Sequence, residues 1–351
     1  MTFIAFLLVF LSVFLHIAWN MLSKSSKPSL AFYIIMTATS SLVWLPFFIL
    51  APWKLTDLPW QFFVIMLFSF AGDVFYLLGL AHAYRKADIS LVYPVVRALP
   101  VLTVAAATII FGLGKTPGLI ALAGMGLISV GCLIMPLNRF SDFSLKPYCS
   151  PVIGFILLAA AGTTMYTILD SHALQMIRDV MHRVSVLDTL GFLFVVEFGE
   201  SVLLLFCILC SPLERKLLKK MAFRSIYPVI AGVCSSSAYG LVLMAMAFVT
   251  NVSYIQAFRQ ISLPIGFLAG VIFFREKGTL PKVTGMILIV PGLVCTALGC
   301  RAGFFFRFFC FVRFTNRSFG SILPENERMR IQMEGGVLKH HWRRTPQNRD
   351  F

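Results

Sequence analysis

Charge is what this chain has least of. Asp, Glu, Lys and Arg make up 13% of its 351 residues, about half the ~25% of an ordinary soluble domain. Acids are the scarcer sign, 15 against 30 Lys and Arg. A soluble globular domain is therefore excluded. Enzyme signatures are missing as well: there is no H-E-x-x-H, no phosphate loop, no G-x-S-x-G elbow and no aspartate-rich metal motif. The expectation is a protein that is not an enzyme and needs no cofactor and no metal. Of eight cysteines, Cys207 and Cys210 form a C-x-x-C inside the apolar run FVVEFGESVLLLFCILC. No second pair has zinc-site spacing and no histidine follows at ligand distance, so buried small apolar residues are expected. The N-terminus lacks the basic segment and small-residue cleavage site of a secretory signal, and its first apolar run is expected to stay as a span.

What the chain has instead is hydrocarbon: 58% hydrophobic residues and a mean hydropathy of +0.85. Ten apolar runs are near or above the length that crosses a bilayer, at 2–22, 29–50, 60–82, 89–112, 117–136, 151–170, 190–210, 226–248, 252–274 and 281–300. The expected fold is an all-α integral membrane protein of ten transmembrane helices arranged as two inverted five-helix repeats. The first repeat is 1–137, a loop follows at 138–150, the second repeat is 151–300, and 301–351 is a basic, partly disordered tail. Net charge is +15; loop lysines and arginines facing anionic lipid account for it, and no nucleic acid is expected. Arg215, Lys216, Lys219, Lys220 and Arg224 form one such juxtamembrane cluster. Loops on one side carry 14 Lys and Arg against 4 on the other, which favours termini outside, while the tail's ten bring the two sides level. In the tail, RAGFFFRFFCFVRF at 301–314 alternates aromatics with arginines, as an interfacial anchor does.

Two runs carry an arginine at hydrocarbon depth. Residues 89–112, ISLVYPVVRALPVLTVAAATIIFG, hold Arg97 between Pro94 and Pro100, and 252–274, VSYIQAFRQISLPIGFLAGVIFF, hold Arg259 before Pro264. An arginine there must be met by water, a carboxylate, a carbonyl or an anionic ligand. The prolines free the carbonyls of Ser90 and Val96, so a broken helix is expected at 89–112 and a second at 252–274. The two arginines stand 162 residues apart, and Tyr, a short polar turn, Ser, Arg and Pro recur in the same order around each. This reads as a duplication, and an odd number of spans per copy inverts the second relative to the first. Gly266 and Gly270 form a G-x-x-x-G, and Gly114 and Gly118 flank a turn; helix packing is expected of them.

At these residues the chain resembles the drug/metabolite transporter superfamily, specifically its EamA-type ten-helix proteins. The resemblance lies in His16-Ile-Ala-Trp19-Asn20, in SLVYPVVRALPVL at 90–102, in TMYTILDSHAL at 164–174 and in YIQAFRQISLPIGFLAGVIFFREK at 254–277. Glu276 stands at the family's glutamate after the ninth helix. Gly114 replaces the corresponding residue of the first repeat, and the tail matches no family pattern. The resemblance implies two five-helix repeats, outward carriage of small metabolites and cytoplasmic termini, the last against the loop count above.

Candidate site residues follow from polar groups placed inside apolar runs. Arg97 and Arg259 are read as grips for an anionic substrate group or as a structural ion pair. Tyr93 lies a turn before Arg97, and Gln256 and Gln260 neighbour Arg259. His16, Trp19 and Asn20 share one face of the first span, as a cavity lining or as an interfacial belt. Asp73 and Tyr76 pair in the third span, with Asp73 as a partner for Arg97, and Tyr239 is the counterpart of Tyr76. Glu197 and Glu200, three apart, share a face and are the candidates for proton coupling. Asp170, near the end of its run, reads as a solvated helix terminus. The expected function is a secondary transporter of a small polar metabolite in the cell (inner) membrane, working by alternating access as proton-coupled efflux. An integral-membrane enzyme or a channel without a recognisable motif is the alternative. The expected partners are the small-molecule substrate, the lipid bilayer and a second copy in a homodimer.

Overall fold

Apolar runs separated by short polar turns leave the backbone one economical solution in lipid, the α-helix, because each N–H and C=O then bonds within its own segment. The computed structural model of the chain describes residues 2–25, 29–86, 89–135, 137, 139–142, 152–221, 225–274 and 279–299. Its α-helices are α1 (Phe3–Ser25), α2 (Leu30–Leu50), α3 (Trp60–Lys86), α4 (Ile89–Ile110), α5 (Leu119–Ile134), α6 (Val152–Met181), α7 (Val186–Leu209), α8 (Pro212–Met221), α9 (Tyr227–Met246), α10 (Ser253–Phe258), α11 (Ser262–Phe274) and α12 (Leu280–Leu298). Among the described residues, seven helices are long and apolar enough to cross a membrane: α1, α2, α3, α6, α7, α9 and α12. α4 and α5 contribute shorter apolar stretches, Val95–Ile110 and Leu119–Ile134. The chain divides into a unit over Met1–Phe308 and a second over Phe309–Phe351; the described residues, and everything below, belong to the first. The tail, Arg224 and Glu276 lie outside them.

The outside of this unit is apolar. Leu119 is 86% exposed, Leu42 71% and Phe206 67%. In water such a surface would aggregate, whereas lipid tails solvate it. The chain is a multi-pass helical membrane protein.

Helix–helix contact in lipid depends on close approach, since apolar burial gives little advantage there. The most extensive contacts join α3 to α6, α5 to α12, α1 to α9 and α2 to α7, so helices from the two halves of the chain interleave. Glycines seven residues apart, on one face of a helix, mark two of these crossings. On α5, Gly124 and Gly131 meet Gly292 and Gly285 of α12. On α3, Gly72 and Gly79 lie against α6, where a Cβ on Gly72 would stand 3.0 Å from the Tyr166 nitrogen. Of the expected G-x-x-x-G, Gly266 has open space around it among the described residues, and the surroundings of Gly270 lie outside them. Gly114 adopts φ +76, a left-handed turn conformation that suits glycine, and the next residue, Lys115, donates its N–H to the Thr250 carbonyl at 2.9 Å.

Several boundaries differ from those expected. α6 continues eleven residues past 170, to Met181, which moves Asp170 from a helix end to mid-helix. The loop at 211–225 contains the amphipathic α8, with Arg215, Lys216, Lys219 and Lys220 exposed. Its Glu214 turns inward, 2% exposed, pairs with Arg85 at the end of α3 and accepts the Ala31 N–H at 3.1 Å at the start of α2. A carboxylate at a helix N-terminus also meets the positive end of the dipole. Cys207 is half-buried and Cys210 exposed, both free thiols; lipid-facing positions explain this pair better than burial does.

Of the two helices expected to break, the first is intact and the second breaks as expected. α4 runs unbroken from Ile89 to Ile110 through both prolines. The ninth run divides into α10 and α11 around a 3-10 turn, Arg259–Ile261. Pro264 has no N–H for the carbonyl of Gln260 four residues back. Local polar groups satisfy the loosened turn: Gln260 Nε2 donates to the Gln256 carbonyl at 3.2 Å and Ser262 Oγ to the Arg259 carbonyl at 2.9 Å.

Candidate functional site

A cavity of about 80 Å³ lies where α1, α3, α6, α7 and α9 converge, with Arg259 of the 3-10 turn beside it. From α1 it receives His16 and Trp19, and from α3 Asp73 and Tyr76. Tyr166 enters from α6, Tyr239 from α9, and Glu197 and Glu200 from α7. The i, i+3 spacing of these pairs puts both members on the inward face of an otherwise apolar helix. Trp19 is 5% exposed and lines this cavity.

The tyrosines form a connected wall. Tyr166 meets Tyr76 and Tyr239 edge-on, with ring centroids 6.1 and 5.8 Å apart. Behind Tyr239 stands Asp170, fully buried, accepting from the Tyr239 hydroxyl at 2.5 Å and from Ser69 Oγ. The reading of Asp170 as a solvated terminus is thereby corrected. Its position became internal because the polar stretch after 170 stays helical, and the Tyr166–Asp170 spacing of four was the sequence signal for a shared inward face. Asp73, Asp170, Glu197 and Glu200 all lie within electrostatic reach of one another. Glu197 also bonds to Ser40.

Arg97 stands at the edge of this site. Its Nη1 is 2.8 Å from His16 Nε2, and its Nη2 reaches Ser262 Oγ and, at 3.4 Å, the Arg259 carbonyl. Arg97 thus ties α1 and α4 to the break between α10 and α11. Trp19 Nε1 donates to the other His16 ring nitrogen at 3.1 Å. A neutral imidazole accepts at one nitrogen only, so the indole and the guanidinium compete for it. Arg259 bonds through its side chain to the Tyr166 hydroxyl.

Other expected residues sit elsewhere. Asp73 is not the partner of Arg97: among the described residues the ion pairs are Arg85–Glu214 and Arg183–Asp188, with none between a cavity arginine and a cavity carboxylate. Arg97 is turned toward the opened turn, whose carbonyl and hydroxyl already meet it. Asn20 donates to the His16 carbonyl at 2.7 Å on its own helix. Gln256 and Gln260 are buried in the break and do not line the cavity. The side chain of Tyr93 lies outside the described residues. Among the described residues, no three His, Cys, Asp or Glu groups come together as metal ligands.

A second cavity, about 450 Å³, opens where α4, α6 and α9 end. Thr108, Gln175, Arg178 and Asn251 line it. Arg178 also donates to the Leu243 carbonyl at 3.4 Å. Sequence reading passed over this region, because the polar end of α6 looked like a loop.

No family model matches the chain, and no curated protein matches it. Solved structures do: 27 chains match, among them the crystal structure of a protein 16% identical to this one, with a TM-score of 0.63, covering 86% of this chain and 99% of that chain. At that identity the likeness concerns the fold alone. The arrangement of helices described above is shared with an experimentally determined structure.

Proposed function

We propose that the chain is a secondary transporter of a small polar metabolite in the cell (inner) membrane, working by alternating access as proton-coupled efflux. The observation that carries this reading is the mid-helix cavity lined by Asp73, Glu197, Glu200, Arg259 and His16 inside helices with apolar outer faces. Ionisable groups at that depth are costly and mark solute or proton paths. Helix contacts support two inverted five-helix repeats over ten spans. Exchanging the halves turns the contact of α1 with α9 into that of α6 with α3, and maps α2–α7 and α5–α12 onto themselves. The broken segment beside the cavity also fits transporter architecture, in which interrupted helices form the substrate site. The EamA-type family is proposed on the motifs around His16, Arg97, Tyr166 and Arg259. The larger cavity is taken as the vestibule, one turn along α6 and α9 from Tyr166 and Val242. Glu197 and Glu200 are assigned the coupling protons.

Counterflow in proteoliposomes tests this. Saturable exchange of a labelled metabolite against its unlabelled form is expected, driven further by a proton gradient. Conversion of the solute would identify an enzyme, and leak without counterflow a channel. Exchange indifferent to collapse of the pH gradient would remove Glu197 and Glu200 from the coupling role.

A further inference from the structure

The charged side chains lining the central cavity are not balanced. Asp73, Glu197 and Glu200 face a single guanidinium, that of Arg259. The protein's own cations are engaged elsewhere: Arg97 with His16, Ser262 and the Arg259 carbonyl, and Arg259 with the Tyr166 hydroxyl. The fourth acid, Asp170, already has two hydroxyl donors. Asp73 does not. It is 7% exposed, it lines the cavity, and its Oδ2 is buried without a hydrogen-bond partner among the described residues. Buried carboxylate oxygens are rarely left so, and the exceptions ask for a donor from outside the fold.

From this geometry we propose that the central cavity takes a protonated primary amine, with its ammonium group on Asp73 and its short alkyl part against the aromatic wall. The inference rests on the carrier reading of the same cavity only for the amine's movement, not for its binding. An ammonium group offers three N–H donors, one for the open Asp73 oxygen and others toward Glu197 and Glu200. Trp19, Tyr76, Tyr166 and Tyr239 line the cavity, and aromatic rings attract a cation. A carboxylate solute would instead meet three acids of its own sign. The space, about 80 Å³, holds a few waters or a solute of similar size. A quaternary ammonium would gain the π-faces but give Asp73 no hydrogen bond.

The test uses the full chain in nanodiscs of zwitterionic lipid, with propylammonium chloride, tetramethylammonium chloride or sodium propionate at equal ionic strength. The readout is the thermal unfolding midpoint, which a ligand of the folded form raises. Propylammonium is expected to raise it saturably, tetramethylammonium less, and propionate not at all. Asp73→Asn should weaken propylammonium binding at least tenfold; if that variant does not fold, Glu200→Gln, which keeps Asp73, should weaken it severalfold. Stabilisation by propionate instead of propylammonium, stabilisation by no probe, or full propylammonium binding by the folded variant would each overturn the proposal. Counterflow of the same solutes separates it from the carrier reading. Binding of propylammonium without counterflow removes the carrier and leaves the amine site. Counterflow of propionate without amine binding does the reverse.

Discussion

α4 and the α10–α11 segment carry the same ingredients, an arginine and a following proline, and fold differently. α4 has two prolines and stays continuous; the other has one, Pro264, and opens into a 3-10 turn. Proline by itself does not break a membrane helix. Side-chain donors meet both segments, and at the open turn one of them, Arg97, is charged. Near Pro100, Ser129 Oγ donates to the Ala98 carbonyl at 3.2 Å and Thr103 Oγ to the Leu99 carbonyl at 3.1 Å, both within a regular helix. Around Arg259 the carbonyls are taken by Gln260, by Ser262 and by Arg97 itself from the opposite segment. One arginine therefore braces the break, and the other, inside the break, faces the cavity.

The largest effect is expected at Arg97. Arg97→Met removes the link between α1, α4 and the opened turn, and hydrogen bonds to a charged group are worth roughly 1.5–3 kcal/mol each. Transport should be abolished and the unfolding midpoint should fall. Arg259→Met should abolish transport with little change in the midpoint, because its side chain faces the cavity and makes one bond to Tyr166. Equal midpoints for the two variants would break the comparison. Next comes Pro264→Ala. It returns an N–H to the Gln260 carbonyl and should reduce counterflow severalfold without lowering stability, while Pro100→Ala should change neither. A Pro264→Ala protein that transports normally would show that the open turn is incidental. The smallest effect is expected from Ser262→Ala, which removes the hydroxyl shared by Arg97 and the Arg259 carbonyl, at a cost of about 1 kcal/mol. Thr108→Val, in the unbroken helix, should cost less, since the Ala105 carbonyl that its hydroxyl meets at 3.0 Å keeps its helical bond; the ratio of the two losses, read by denaturation in the same detergent, sharpens the contrast.

Much of the site was legible because membrane spans make polar residues conspicuous. His16, Trp19, Asp73, Tyr76, Glu197, Glu200, Tyr239 and Arg259 stood out by chemistry and spacing, and they line one cavity. Asp170 was misread, because a hydropathy run ends where apolar composition ends, whereas α6 continues through polar residues to Met181. Of the glycines expected to pack, Gly114 makes a close approach, to the Thr250 carbonyl, and Gly266 does not. The visible G-x-x-x-G drew attention to Gly266, while the close approaches use glycines two full turns apart, as at Gly124 and Gly131. The pairing of Asp73 with Arg97 failed for a different reason: opposite charges on separate helices pair only where packing brings them together, and sequence does not contain that distance.

By itself the sequence determined the solvent and the all-helical class. Uncharged apolar runs of bilayer length leave the backbone few alternatives to helix, and a handful of ionisable residues within them must turn away from lipid. Only the tertiary structure decided which of those residues face one another, that the arginine of α4 braces a break in another helix, and that Asp73 is left with an unsatisfied oxygen. Those outcomes depend on crossings set by glycine contacts between segments far apart in the chain, as at Gly124 and Gly292, 168 residues apart, where no local propensity acts.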